Sequence, residues 1–117
     1  LSDSELASFL RVAGACGLEA LVEVHDSAEL ERALAAGARL IGVNQRDLTT
    51  FEVDRSRAAD LAAAMPPDVV SVAESGIRDA DDVRRLADAG YQAVLVGETL
   101  VRSPDRRAAV ADLVGSP

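Results

Sequence analysis

Short apolar runs rich in β-branched residues alternate with segments of helical period along the chain, and that alternation admits few arrangements other than βα units on a parallel sheet. The runs are Ala20-Leu21-Val22-Glu23-Val24, Leu40-Ile41-Gly42-Val43, Val69-Val70-Ser71-Val72-Ala73 and Ala93-Val94-Leu95-Val96. The first is almost wholly apolar, as strands buried on both faces are. A leading helix over roughly 3 to 16 opens on a capping box, Ser2 with Glu5, and keeps Leu6, Phe9, Leu10 and Ala13 on one face until Gly17. Asp26 with Glu29 starts the next helix, with Leu30, Ala33 and Leu34 inward up to Gly37. A third runs from about Arg57 to Met65, where Pro66-Pro67 stops it. Asp79 with Asp82 starts a fourth, with Val83, Leu86 and Ala87 inward up to Gly90, and Ser103-Pro104 begins the last by the cap-then-proline rule.

An internal repeat supports this order. Asp26 through Val43 lies over Asp79 through Val96 without a gap, each copy reading acidic cap, helix, Ala-Gly, apolar strand. The offset of 53 residues spans two βα units, as in a barrel whose alternate strands occupy equivalent positions. A closed eight-stranded (β/α)8 barrel takes about 250 residues. The 117 residues here make a single domain, 1–117, with a leading helix and four βα units, half of such a barrel. Its first and fourth strands are then open edges that invite pairing with the missing half, a second copy or another partner. An open flavodoxin-like sheet is the alternative, though its strand order usually needs a fifth strand. Leu1 rather than Met at the start suggests a processed or excised piece.

Charge and rare residues narrow the function. Twenty acids against twelve bases give a net charge of -8, which repels nucleic-acid phosphates and anionic headgroups. Neither nucleic acid nor membrane is an expected partner, and without an apolar run long enough to span a bilayer the expected setting is soluble and cytoplasmic. One cysteine, Cys16, and one histidine, His25, rule out an intrachain disulfide and Cys-based or His-rich metal sites. Every basic residue is arginine. The chain therefore has no lysine for a Schiff base, a P-loop or an ammonium acid.

Parallel α/β folds bind ligands at the carboxyl ends of their strands. Those ends carry Glu23 with His25, Asn44 with Arg46, Glu74 with Ser75-Gly76, and Gly97-Glu98. Glu23 and Glu74 interrupt apolar strands, where a carboxylate is costly unless paired or functional. Ser75-Gly76 and Gly97-Glu98 are two junctions where backbone N–H groups can approach an anion, and Glu98 to Val101 could form the short extra helix of a phosphate cradle. Arg46 can add a guanidinium fork, unless it pairs with Asp47 or Glu52. His25 beside Asp26 suggests a catalytic pair, but adjacent strand residues face opposite sides, so it reads as a cap or loop residue. Cys16 reads as core, and Arg84-Arg85 and Arg106-Arg107 read as solvated helix faces. A Mg2+ site from Glu23, Asn44 and Glu74 would lack a converging Asp or His, so no metal is expected.

Four strings in register, Leu-Val-Glu-Val-His at 21–25, Ile-Gly-Val-Asn-Gln-Arg-Asp-Leu at 41–48, Val-Ala-Glu-Ser-Gly-Ile at 72–77 and Val-Leu-Val-Gly-Glu at 94–98, resemble the indole-3-glycerol phosphate synthases from about Leu18 to Asp112. The resemblance implies strands 5 to 8 of that family's barrel. It also implies a cofactor-free lyase of tryptophan biosynthesis, closing the indole ring of 1-(2-carboxyphenylamino)-1-deoxyribulose 5-phosphate with loss of CO2 and water. On the same ground Glu23 would handle protons, Asn44 would hold substrate hydroxyls and Glu74 would line the pocket. Arg46, Ser75, Gly76, Gly97 and Glu98 would hold the phosphate, although Glu98 departs from the Ser sometimes found there.

The family's general-acid lysine lies on strand 3, and a second lysine and a glutamate on strand 1, none of them present here. Ring closure at a ketone needs a proton donor, and arginine is too basic to serve. The chain is therefore expected to be a half-site, inactive without an N-terminal half carrying the lysines. A phosphosugar isomerase, which would not need Asn44 and Arg46 together, and a non-catalytic half-barrel that dimerises remain the alternatives.

Overall fold

The computed structural model describes residues 1–115. Four parallel strands, β1 (Leu21–Val24), β2 (Leu40–Asn44), β3 (Val70–Glu74) and β4 (Ala93–Leu95), form one sheet in the order β1-β2-β3-β4. Spatial order equal to chain order is that of a barrel wall; a doubly wound sheet would place a later strand on the far side of the first. Among the described residues six helices accompany it: α1 (Asp3–Ala15), α2 (Ser27–Ala35), α3 (Ser56–Ala62), α4 (Ala80–Asp88), α5 (Glu98–Arg102) and α6 (Arg106–Val114).

The repeat is visible in the caps. Asp26 accepts from the Glu29 N–H and Asp79 from the Asp82 N–H, in near-identical backbone conformations (φ -149, ψ 177 and φ -152, ψ 175). The α1 capping box of Ser2 and Glu5 is also present. Three expectations need correction. The last helix starts at Arg106 on an Asp105 cap, because Ser103 already ends α5. Cys16 is exposed rather than core, since α1 buries none of its residues and Cys16 follows its last turn. β1 is not covered on both faces, because it is an edge strand with Leu21 and Glu23 exposed. Arg84 and Arg85 are exposed, as a solvated helix face should be, and Arg78 and Arg85 both pair with Asp82.

The two faces of the sheet differ. Val24, Ile41, Val43 and Ala73 point toward the helices and are essentially buried with Leu30, Ala33, Ala58, Leu61 and Ile77. Cross-strand register assigns the opposite face its rows: Leu21 with Leu40 and Val70; Glu23 with Gly42, Val72 and Ala93; Asn44 with Glu74 and Leu95. No helix covers this second face among the described residues, and Val70 and Leu95 remain 45% and 49% exposed. Such a surface corresponds to the lumen side of a barrel, where inward side chains from opposite strands would meet. The radius of gyration, 15.0 Å, exceeds the about 13 Å of a closed domain of this length, as an open half-wall should.

Candidate active site

The eight residues to which the resemblance gives site roles lie at one end of the sheet, in two adjoining groups. Glu23, Asn44 and Glu74 share the open face. Asn44 Nδ2 donates to Glu23 Oε1 at 2.9 Å, while its Oδ1 accepts from the Arg46 N–H at 2.9 Å, so both ends of the amide are assigned by their partners. Glu74 lies beside Asn44 in register and folds back over Gly42; a Cβ at Gly42 would stand 1.8 Å from Glu74 Oε1. Gly42 is thus the space that the carboxyl needs. Glu74 is 5% exposed and, among the described residues, its Oε1 has no hydrogen-bond partner. Burial, reinforced by the charge of Glu23, pushes Glu74 up to about 7. Its protonated form therefore persists well above the pH at which an ordinary carboxyl ionises, and in that form it can donate to its neighbour.

Arg46, Ser75, Gly76, Gly97 and Glu98 line a single open cavity of about 990 Å3. Glu74 ends β3 and the chain turns sharply through Ser75 (φ 65) and Gly76 (φ 70), two successive left-handed residues. Gln45 was not singled out by the sequence, yet it is the residue that holds this turn. It is 2% exposed, its N–H donates to Glu74 O at 3.0 Å and its Nε2 to Ser75 O at 2.8 Å. Gly76 has no room for a side chain, since Val53 Cγ1 would lie 2.5 Å from its Cβ, whereas Gly97 faces open space. After Gly97, α5 supplies the expected short helix, and Thr99 Oγ1 ties it to Ile77 O at 2.6 Å.

Arg46 pairs with neither Asp47 nor Glu52. Its side chain crosses to Glu98 Oε2 at 2.6 Å and to Phe51 O at 3.1 Å, while the other Glu98 oxygen meets Arg102 at 3.0 Å. The loop from Arg46 to Val53 is a small hairpin, closed by an antiparallel bridge between these two residues and by Asp47 accepting from the Thr49 and Thr50 N–H groups. Those bonds hold Asp47 below the usual carboxylate range. His25 sits past β1 in the turn before α2; its partners are Glu29 and Glu23, not Asp26. Among the described residues no group of three His, Cys, Asp or Glu has the geometry of a metal site.

The family model of indole-3-glycerol phosphate synthase matches residues 1–113. The chain belongs to the indole-3-glycerol phosphate synthase family. Similar relatives include the indole-3-glycerol phosphate synthases of Mycobacterium ulcerans, 55% identical over 97% of this chain and 42% of that protein, and of Arthrobacter sp., 49% identical over 99% and 43%. The chain spans about two fifths of the length of these family members. Among solved structures, the native KDPGal structure superposes with a TM-score of 0.70 at 20% identity, covering 92% of this chain and 52% of that one. A mandelate oxidase with benzoyl-formic acid gives 0.66 at 21%, covering 98% and 33%. At such identities these two speak for the fold alone. They agree with the family in making this chain an α/β unit with half the strands of a TIM barrel. No helix among the described residues is long and apolar enough to cross a membrane.

Proposed function

We propose that this chain, as the single domain 1–117, supplies the phosphate cradle and one bank of acid–base groups to an indole-3-glycerol phosphate synthase. The carboxy-lyase reaction is the decarboxylating ring closure of 1-(2-carboxyphenylamino)-1-deoxyribulose 5-phosphate in tryptophan biosynthesis. The observation that carries the reading is the meeting of Glu23, Asn44 and Glu74 on the open face beside an arginine-edged cavity, in a chain of this family.

The ring carbon bearing the carboxylate attacks the substrate ketone, whose oxygen takes a proton; CO2 then leaves, which restores the benzene ring, and loss of the new hydroxyl as water, with a proton from the adjacent carbon, completes the indole. Glu23 would accept and return protons at the ring, its Oε1 steadied by Asn44. Asn44 would meet a substrate hydroxyl, and Glu74, titrating near 7, would exchange a proton with Glu23 from the same pocket. The phosphate would sit against Ser75, Gly76 and Gly97 and take the guanidinium fork of Arg46 in competition with the Glu98 carboxylate. No cofactor enters this scheme. The resemblance gives the role of the ketone's proton donor to a lysine, and none of the 117 residues is lysine. We assign that donor to a lysine-bearing half-barrel that completes the lumen, in preference to a second copy of this chain. The cytoplasm is the compartment we propose, in keeping with the free thiol of Cys16.

The test is indole fluorescence developing from the carboxyphenylamino-deoxyribulose phosphate. This chain alone should be silent, and mixing with a separately made N-terminal half carrying the lysines should give signal. Turnover by the lysine-free chain alone would overturn the mechanism, and silence of the mixture would favour an isomerase or a binding module.

A further inference from the structure

His25 belongs to neither group described above, yet its environment is built. Its backbone N–H donates to Glu29 Oε2 at 2.8 Å, and its Nδ1 lies 3.1 Å from the same oxygen. An ionised carboxylate only accepts, so this contact places the proton on Nδ1. The ring is thereby turned with Nε2 inward, where it is buried with no hydrogen-bond partner among the described residues, 3.7 Å from Glu23 Oε1. That oxygen already accepts from Asn44 Nδ2. Buried polar atoms lacking a partner are few in folded proteins and call for an explanation. A lone pair on Nε2 facing a carboxylate explains both the missing bond and the distance, since the two repel until one of them carries a proton.

We infer that His25 is a positioning residue for Glu23: Glu29 on α2 orients the imidazole so that Nε2 receives a hydrogen bond from Glu23 once Glu23 has taken a proton from the substrate. The order carboxylate, imidazole, reacting group is that of a catalytic triad, with Glu23 in the place of the hydroxyl. The proton that Glu23 collects is shared with Nε2, while Glu29 stabilises the positive ring, and it returns by the same path. Asp47 on the loop after β2 and Glu74 on β3 are the other carboxylates that feel the ring's charge. The inference rests on the reading of Glu23 as the proton-handling group.

Because His25 is the sole histidine, its imidazole gives one set of 15N signals. In the protein at neutral pH the neutral ring should be the Nδ1–H tautomer. Glu29→Gln should move it toward the Nε2–H form, and Glu23→Gln should shift the Nε2 resonance. A wild-type ring protonated on Nε2, or no response to Glu23→Gln, overturns the inference. In the mixture that turns over, His25→Ala should lower kcat by about tenfold or more with little change in KM, and His25→Gln, whose amide oxygen can still accept, should restore part of it. Unchanged kcat in His25→Ala beside a Glu23→Gln that is dead overturns the inference alone. Unchanged kcat in both variants overturns the reading of Glu23 as well.

Discussion

At the level of single residues, Glu74 dominates the site's electrostatics. A carboxyl whose folded-state value is raised to about 7 binds a proton more tightly in the native than in the unfolded chain, so stability falls as pH climbs from its unfolded value of about 4.5 through 7. Glu74→Gln removes that cost. The variant should unfold at higher urea than wild type at pH 8, by on the order of 1–3 kcal/mol, with the gain shrinking as pH falls and vanishing near pH 4. A constant difference across that range would mean that Glu74 does not titrate as described. The sequence showed Glu23 and Glu74 because a carboxylate inside an apolar strand stands out in one dimension. The role of Gln45 did not stand out, since an amide that braces a turn 30 residues away leaves no local signal.

Among the elements, strand and helix positions were legible because period and cap chemistry are local, and the matched Asp26 and Asp79 caps are the clearest case. Burial was not legible: the apolar run of β1 says nothing of whether a neighbour exists, and α1 carries an apolar stripe that stays half-exposed beside it. Ser103-Pro104 misled because Ser-Pro can end one helix as readily as start another. The fit of β3 against β2 depends on one missing methyl group. Gly42→Ala should cost about 1–3 kcal/mol in urea unfolding as its Cβ forces the Glu74 carboxyl aside. In a Glu74→Ala background the same change should cost less than half as much, since only Leu21 Cδ1 remains close, at 3.2 Å. Equal costs in the two backgrounds would show that the strain lies in the backbone.

For the molecule as a whole, the open sheet face is the main liability. Leu21, Val70 and Leu95 present an apolar surface that no described element covers, flanked by two unpaired strand edges. The isolated chain should bind an apolar dye such as ANS and self-associate in light scattering, and Leu95→Lys should reduce both while leaving the helix-side core in place. A monomeric wild-type chain that leaves the dye dark would mean the face is already covered. The neighbour-by-neighbour order of the strands also bears on how the wall is assembled. Each strand pairs with the one just before it in the chain, so every closure spans a single helical crossover and the sheet can grow like a zipper. β2 and β3, paired on both sides, form the stable middle, and β1 and β4 fray first. Asn44 and Glu74 thus stand on the part of the wall that opens last, whereas Glu23 stands on a border strand whose order depends on whatever joins it next.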